Sequence, residues 1–508
     1  MENKEKIRIS DIIPQEEIRK WENGDVVLIS APCGAGKSYF IKNVLYEYAK
    51  SIGKKILMLI HRSACVNQFS IEIENAGKSD IIDIRTYQSI EFALTNGNYG
   101  VFSKDYAFVV SDEFHYFVED SGFNCLTDLS FNAIVKYPNA VKIFMSATGD
   151  VMEHMMEKSV YRKSKMYHYS AQADFSHIAS LNYFFQNETM RTLAYRLKKK
   201  GQKAIFFCQG VEQAHSLYNE FRDCSIFLCG KNSASGKKFY ADVNEEKIKE
   251  MLENQRFEEQ FLFCTSCFDA GANIVDPELH IIVVDMVNIS SLIQCVGRKR
   301  SQSADDKIHL FIKGISNKQI GGLISKRRSG LQRADFLMQN DTRTYVEKYG
   351  RDNFDKFHGS LIYDKPMSKR NKNTCTKLVN MMIYNKYKLD IQVFEEILKV
   401  GYTNYIGNIF QFGGSFERRY MYFDEGDLSD YLGILADSNV VMLTAANRKP
   451  LIERLNVKHN GKLLKSKNSL NAALTEKRYN FRIEEFETSK MVDGKKKNFK
   501  SAWRIVRQ

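Results

Sequence analysis

VVLISAPCGAGKS, Val26 to Ser38, decides how this chain is read: an apolar run breaks into a glycine-bearing turn that closes on Gly-Lys-Ser, and a helical stretch follows, Tyr39 to Lys50. An apolar run that ends so abruptly is a strand buried on both faces, as a parallel sheet requires. Gly34 and Gly36 let the backbone bend so that successive N–H groups face one point, and the following helix adds the positive end of its dipole. Such a turn is a phosphate loop. Its candidate nucleotide-binding residues are Ala31, Pro32, Cys33, Gly34, Ala35, Gly36, Lys37 and Ser38, with Lys37 reaching the outer phosphates of ATP and the Ser38 hydroxyl ligating Mg²⁺. Ala31 replaces the usual first glycine, giving A-x-x-G-x-G-K-S.

Seventy-five residues beyond Lys37, the apolar run FVVS ends in Asp112-Glu113-Phe114-His115. An Asp-Glu pair by itself is an ordinary solvated turn. At the carboxyl end of a strand neighbouring the phosphate loop, Asp112 would hold the metal and Glu113 would position and polarise the attacking water.

Around these two motifs, short apolar runs alternate with helical segments. Val26 to Ser30, Lys55 to Ile60, Ile82 to Arg85, Phe108 to Ser111 and Lys142 to Ser146 form one set. After a looser polar stretch around 150 to 175 the rhythm returns, with Ser180 to Phe185, Lys203 to Cys208, Ser225 to Cys229, Gln260 to Cys264, His280 to Asp285 and Ile308 to Ile312. Two α/β lobes in tandem are the simplest account. Beyond about residue 316 the strand rhythm fades, and segments such as Asp390 to Gly401 have helical spacing with a closing glycine.

The length of 508 residues fits two or three folded units, and 44% apolar with 12% aromatic residues supplies real cores. Wholesale disorder is excluded. The net charge of +13 favours an anionic partner, and from Leu451 onward fifteen Lys/Arg face six Asp/Glu, so most of that excess is local. The ten cysteines lack the dense spacing of a secreted disulfide scaffold, which predicts reduced thiols. Cys264-Thr-Ser-Cys267 has the spacing of half a zinc site, but Cys264 ends an apolar strand and Cys267 lies inside a motif described below, so no zinc is expected. The amino terminus alternates charges, and no segment approaches the ~20 apolar residues of a membrane span. The expected location is the cytoplasm, without a membrane partner.

The phosphate loop and acidic box resemble those of superfamily 2 helicases of the DExH type, and further motifs follow in that family's order over residues 24 to 312. HRSACVNQ, His61 to Gln68, and RTYQS, Arg85 to Ser89, resemble the loops that contact a nucleic-acid strand, through Arg62 and Thr86. Ser146-Ala147-Thr148 is similar to the family's S-A-T, so His115, Ser146 and Thr148 are implied to couple nucleotide state to lobe movement. TSCFDAGANI, Thr265 to Ile274, resembles the fifth motif, which implies nucleic-acid contact at Thr265 and approach to the nucleotide at Asp269 and Gly271. Asn273 stands where many relatives have aspartate. QCVGRKR resembles the sixth, implying that Gln294 meets the nucleotide and that Arg298 and Arg300 neutralise charge on the γ-phosphate. It departs from Q-R-x-G-R-x-G-R in Cys295 and in an Arg300 that comes one residue early.

The carboxyl-terminal order of helix (Lys449 to Val457), helix (Asn468 to Tyr479) and hairpin around Asp493-Gly494 resembles a winged-helix module. Lys495, Lys496 and Lys497 at its tip would meet phosphates, or else close the domain as a solvated basic hairpin; Trp503 reads as core. The expected division is therefore two RecA-like parallel-sheet lobes (1–165 and 166–316), a mainly helical accessory region (317–446) and a basic winged-helix-like module (447–508). The expected activity is ATP- and Mg²⁺-dependent movement along, or unwinding of, single- or double-stranded nucleic acid, with DNA favoured over RNA. A Lys- and Asn-rich chain suits replication of a phage or mobile element. The alternatives are a duplex translocase or remodeller without unwinding, an RNA helicase, and an ATP-switched binding scaffold.

Overall fold

The apolar runs of the first third become neighbours in one sheet. The computed structural model describes residues 8–508 except 33, 62, 99, 101–104, 123, 125, 148–155, 157–163, 232–233, 269–272, 304, 351–360, 367–374, 413–417, 421–427, 438, 460–461 and 493–494. Strands β1 (Val26–Ser30), β2 (Lys55–Ile60), β3 (Ile82–Thr86), β4 (Tyr106–Asp112), β5 (Val141–Ser146) and β6 (Met166–Ser170) lie in the order β3-β2-β4-β5-β1-β6. Every pairing is parallel. The central strands are buried on both faces, which is why their sequences are apolar without alternation.

Two corrections follow. β4 does not neighbour β1, because β5 runs between them. The strand ending at Ser146 therefore touches both the phosphate loop and the acidic box. The first sheet also continues past the expected boundary at 165: β6 pairs with β1, and its half-exposed sequence, MYHYS, lacks the apolar signal because an edge strand needs none.

The second lobe is built from β7 (Ile178–Phe184), β8 (Lys203–Phe207), β9 (Ser225–Leu228), β10 (Phe261–Cys264), β11 (Leu279–Val284) and β12 (Ile308–Lys313), in the order β7-β12-β11-β8-β10-β9 and all parallel. Its two faces carry separate apolar cores, one around Ile205, Phe207, Ile282 and Leu310 and the other around Phe206, Phe227, Phe261 and Phe263.

The accessory region is not helical throughout. It contains the antiparallel pair β13 (Ile362–Pro366) and β14 (Cys375–Val379), and a short strand β15 (Arg418–Tyr420) that extends the second sheet at β7. Its helix Met381–Val400 is anchored in two places: Met382 belongs to a core of the first lobe, whereas Ile391, Phe394 and Ile397 belong to a core of the second. Burying each such side chain is worth about 1.5–3 kcal/mol, so this helix ties the lobes together.

The terminal unit begins before residue 447, because Tyr431, Leu432 and Leu435 of helix Leu428–Asp437 share one core with Leu451, Leu470, Ile483 and Trp503. Trp503 is core, as expected, under the Arg448 guanidinium at 4.4 Å. Met442 bridges to Trp503, helices Ala445–Leu455 and Lys467–Glu476 follow with the small antiparallel pair β16 (Lys458–His459) and β17 (Lys462–Leu463) between them, and β18 (Phe481–Val492) pairs antiparallel with β19 (Lys495–Arg507). Among the described residues, no helix is long and apolar enough to cross a membrane.

Candidate active site

β1 delivers the chain into the phosphate loop, where Gly34 (φ +85°) and Gly36 (φ +83°) occupy the left-handed region that a side chain would strain. The loop is braced from three directions. Ala31 N–H donates to the Ser146 carbonyl at 2.9 Å, Ile9 N–H donates to the Ala35 carbonyl at 3.0 Å, and the Arg8 side chain lies beside Gly36. Lys37 is buried and donates to the Ala31 carbonyl at 2.7 Å, so its ammonium is held inside the loop. Ser38 is exposed at the start of the helix.

Asp112 and Glu113 stand at the carboxyl end of β4. Burial, and then the neighbouring Glu113, push the Asp112 carboxyl up to about 7 against the pull of Lys37 and Arg298. Glu113 is also opposed by burial, but Lys37, His115, Arg298 and His61 outweigh it and hold that carboxyl below its ordinary value. Glu113 adopts φ +49°, a left-handed backbone costing a non-glycine residue on the order of 1 kcal/mol. The neighbouring Phe114 N–H donates to the Met145 carbonyl at 3.1 Å, and Tyr87 donates its hydroxyl to the Asp112 carbonyl at 2.8 Å.

His115 joins the two lobes. Its Nε2 accepts from the Gln294 amide at 2.8 Å, which puts the ring proton on Nδ1, 2.9 Å from Ser146 Oγ and 3.3 Å from Glu113 Oε2. Burial depresses the His115 pKa, against the opposing pull of Glu113. Gln294, expected to meet the nucleotide, directs one amide N–H to His115.

From the Ile289–Val296 helix the chain turns through Gly297 and Arg298 to Lys299, which bridges to Ile274. Lys299 turns inward to Asp306 and the Asp276 carbonyl, both at 2.7 Å, while its neighbours face the first lobe. Arg298 is buried, donates Nε to the Gln294 carbonyl at 3.2 Å, and acts electrostatically on both acidic-box carboxylates. Arg300 donates Nε to Asn273 Oδ1 at 2.8 Å and extends to the phosphate loop, where a Cβ added to Gly34 would stand 3.0 Å from its Nη1. Both arginines thus approach the first lobe, Arg298 at the acidic box and Arg300 at the phosphate loop.

The model of the family described as "Type III restriction enzyme, res subunit" matches residues 4–150. The matched stretch carries the phosphate loop and the acidic box and ends within the first lobe, so the likeness to that family is of the first lobe. The two-lobed core is similar in fold to the DEAD-box helicase Mss116 bound to single-stranded RNA and UDP-BeF, at 13% identity and TM-score 0.47, over 70% of this chain and 77% of that one. It is also similar to S. cerevisiae Dbp5 bound to RNA and ADP BeF3 (13%, TM-score 0.42, 59% and 82%) and to the Escherichia coli DEAH/RHA helicase HrpB (12%, TM-score 0.41, 61% and 43%). No curated protein matches it.

Cys33, Arg62, Thr148, Asp269 and Gly271 lie outside the described residues, as does the side chain of Lys495. Thr86 caps the helix Tyr87–Thr95, accepting from Ser89 N–H at 3.1 Å, and Thr265 directly follows β10. Lys495, Lys496 and Lys497 are not in a turn: they open β19, and Lys497 pairs directly opposite Lys490. The sequence reading missed Tyr87, Glu119 and Asn288. Only Asn288 left a local signal, a capping residue ahead of an apolar helix.

Proposed function

We propose that this protein is a superfamily 2 helicase or translocase that hydrolyses the β–γ phosphoanhydride of ATP, with Mg²⁺, in the cleft between its lobes and uses the cycle to move along nucleic acid, with DNA as the preferred track. The observation that carries this reading is the meeting of parts from both lobes: Arg298 beside Asp112 and Glu113, and Arg300 against the phosphate loop.

Mg²⁺ fits the residues present, because Ser38 and Asp112 are hard oxygen donors and the raised Asp112 carboxyl marks a place short of positive charge. When bound, the ion would neutralise phosphate charge and polarise the scissile group. Glu113, kept ionised by its cationic neighbours, orients the attacking water and accepts its proton. Lys37 leaves the Ala31 carbonyl for the outer phosphates. Arg298 and Arg300 counter the charge that develops as the terminal phosphoryl leaves. Loss of that phosphate removes the anion holding Arg300 to the first lobe. The chain Glu113–His115–Gln294 then carries the change into the second lobe, and its release lets the strand-facing loops near Thr86 and Thr265 shift along the backbone.

DNA is preferred on account of the terminal module. Its order of helix, helix and antiparallel strand pair resembles a winged helix, and that strand pair sets exposed Lys490 and Lys497 side by side. Like charges in cross-strand register destabilise the hairpin by roughly 0.2–1 kcal/mol, and a polyanion relieves that repulsion. A second reading, movement along duplex DNA without strand separation, is favoured by the restriction-enzyme description of the matching family. ATP turnover against single- and double-stranded DNA and RNA at two salt concentrations tests the track. Strand displacement beside triplex displacement separates the two readings. Turnover unaffected by all four polymers would overturn the proposal.

A further inference from the structure

Glu119 closes the short helix Tyr116–Glu119 that follows the acidic box, and one oxygen of its carboxylate gathers two partners from outside the first lobe. Oε2 accepts from the Asn288 side-chain amide at 2.6 Å and from the Lys386 ammonium at 2.9 Å. Both Glu119 and Lys386 side chains are only 18% exposed.

Asn288 has a second duty. Its Oδ1 accepts from Ser291 N–H at 3.0 Å and caps the Ile289–Val296 helix, so one side chain both starts that helix and ties it to the first lobe. Six residues on, about 9 Å along the axis, Gln294 meets His115, and Arg298 and Arg300 follow. Lys386 belongs to the Met381–Val400 helix that is anchored in both lobes. It also approaches Asp390 at 3.4 Å, and Asp390 in turn binds Arg327 of helix Asn317–Gln339 at 2.7 Å. Burial opposes the Lys386 charge, but Glu119 and Asp390 outweigh it and hold the ammonium protonated.

We propose that Glu119, Asn288 and Lys386 form an interlobe latch, in which Glu119 is a positioning residue that sets the arginine-bearing segment against the phosphate loop and restrains opening of the cleft through the bridging helix. The kinetic consequence rests on the ATPase reading. The conformational consequence does not.

The test uses the full chain with Asn288→Asp and Lys386→Met. Aspartate caps a helix as well as asparagine does, so a capping role alone predicts no loss in Asn288→Asp, whereas the latch would then set two carboxylates against each other. The expected results are amide exchange on the order of tenfold faster in residues 289–294 and 382–390, with the strands unchanged, and a kcat on the order of tenfold lower at a KM for ATP within about twofold. Lys386→Met should give the same pattern in weaker form, leaving the Asn288 cap intact. Wild-type exchange in both segments of both variants overturns the latch. Faster exchange there in a protein that turns over no ATP in any form keeps the latch and removes the ATPase reading.

Discussion

Replacing Asp112 by Asn should stabilise the folded protein at alkaline pH while ending its catalysis. The ordinary aspartate carboxyl has a pKa of 3.8, and burial beside Glu113 raises this one to about 7. That difference of about three pH units corresponds to roughly 4 kcal/mol of preference for the protonated form, an upper bound for the pair. The folded state binds this proton more tightly than the unfolded chain does. The cost of ionised Asp112 is therefore absent below about pH 4, grows as pH rises, and is fully present above about pH 7. Asparagine carries no such cost; the upper bound is already net of the attraction of Lys37 and Arg298, and relaxation and water entry around the ionised carboxylate reduce it, so a gain on the order of 1–2 kcal/mol is expected at pH 8.5. For a lobe of this size that is a rise in Tm of about 3–6 °C. The two tryptophans lie in different units, Trp21 in the first lobe and Trp503 in the terminal one, so Trp21 fluorescence in a Trp503→Phe background follows the first lobe alone. Tyr87 bonds the main-chain carbonyl of residue 112 and is unaffected by the change. A variant less stable than its parent at pH 8.5, or a gap of equal size at pH 4.5, would refute the electrostatic reasoning.

Other consequences are smaller in scope. Glu113→Gln should lower turnover by at least about 10²-fold while fluorescent-nucleotide binding stays within a few fold. Arg300→Ala should cost about 10²–10³ in kcat with little change in nucleotide affinity; an equal loss in affinity would place Arg300 in ground-state binding instead. Gln294→Leu removes the donor to His115, so stimulation of ATP turnover by nucleic acid should fall much further than basal turnover. Replacing Lys490 and Lys497 together by Ala should reduce the slope of log affinity against log salt by about 2, and an unchanged slope would mean that the hairpin is only structural.

The phosphate loop, the acidic box and, among the described residues, eleven of the thirteen strands of the two large parallel sheets were legible because each is local: an apolar run fully buried in a parallel sheet has no polar alternation to hide it, and Gly-x-Gly-Lys-Ser carries its own backbone requirements. The two unseen strands, β6 and β15, sit on sheet edges; β6 is half-exposed, so its apolar pattern disappears, and β15 is only three residues long. The terminal unit was read as starting too late, since the helix Leu428–Asp437 reveals its membership only by packing on Trp503.

The sequence by itself determined which groups bind phosphate and handle water, because their chemistry depends on neighbours within a few residues. Only the tertiary structure decided what Gln294, Glu119 and the early Arg300 do. Glu119 and Asn288 meet across 169 residues, and His115 and Gln294 across 179. No local pattern encodes a hydrogen bond whose two halves are brought together by the packing of separate sheets.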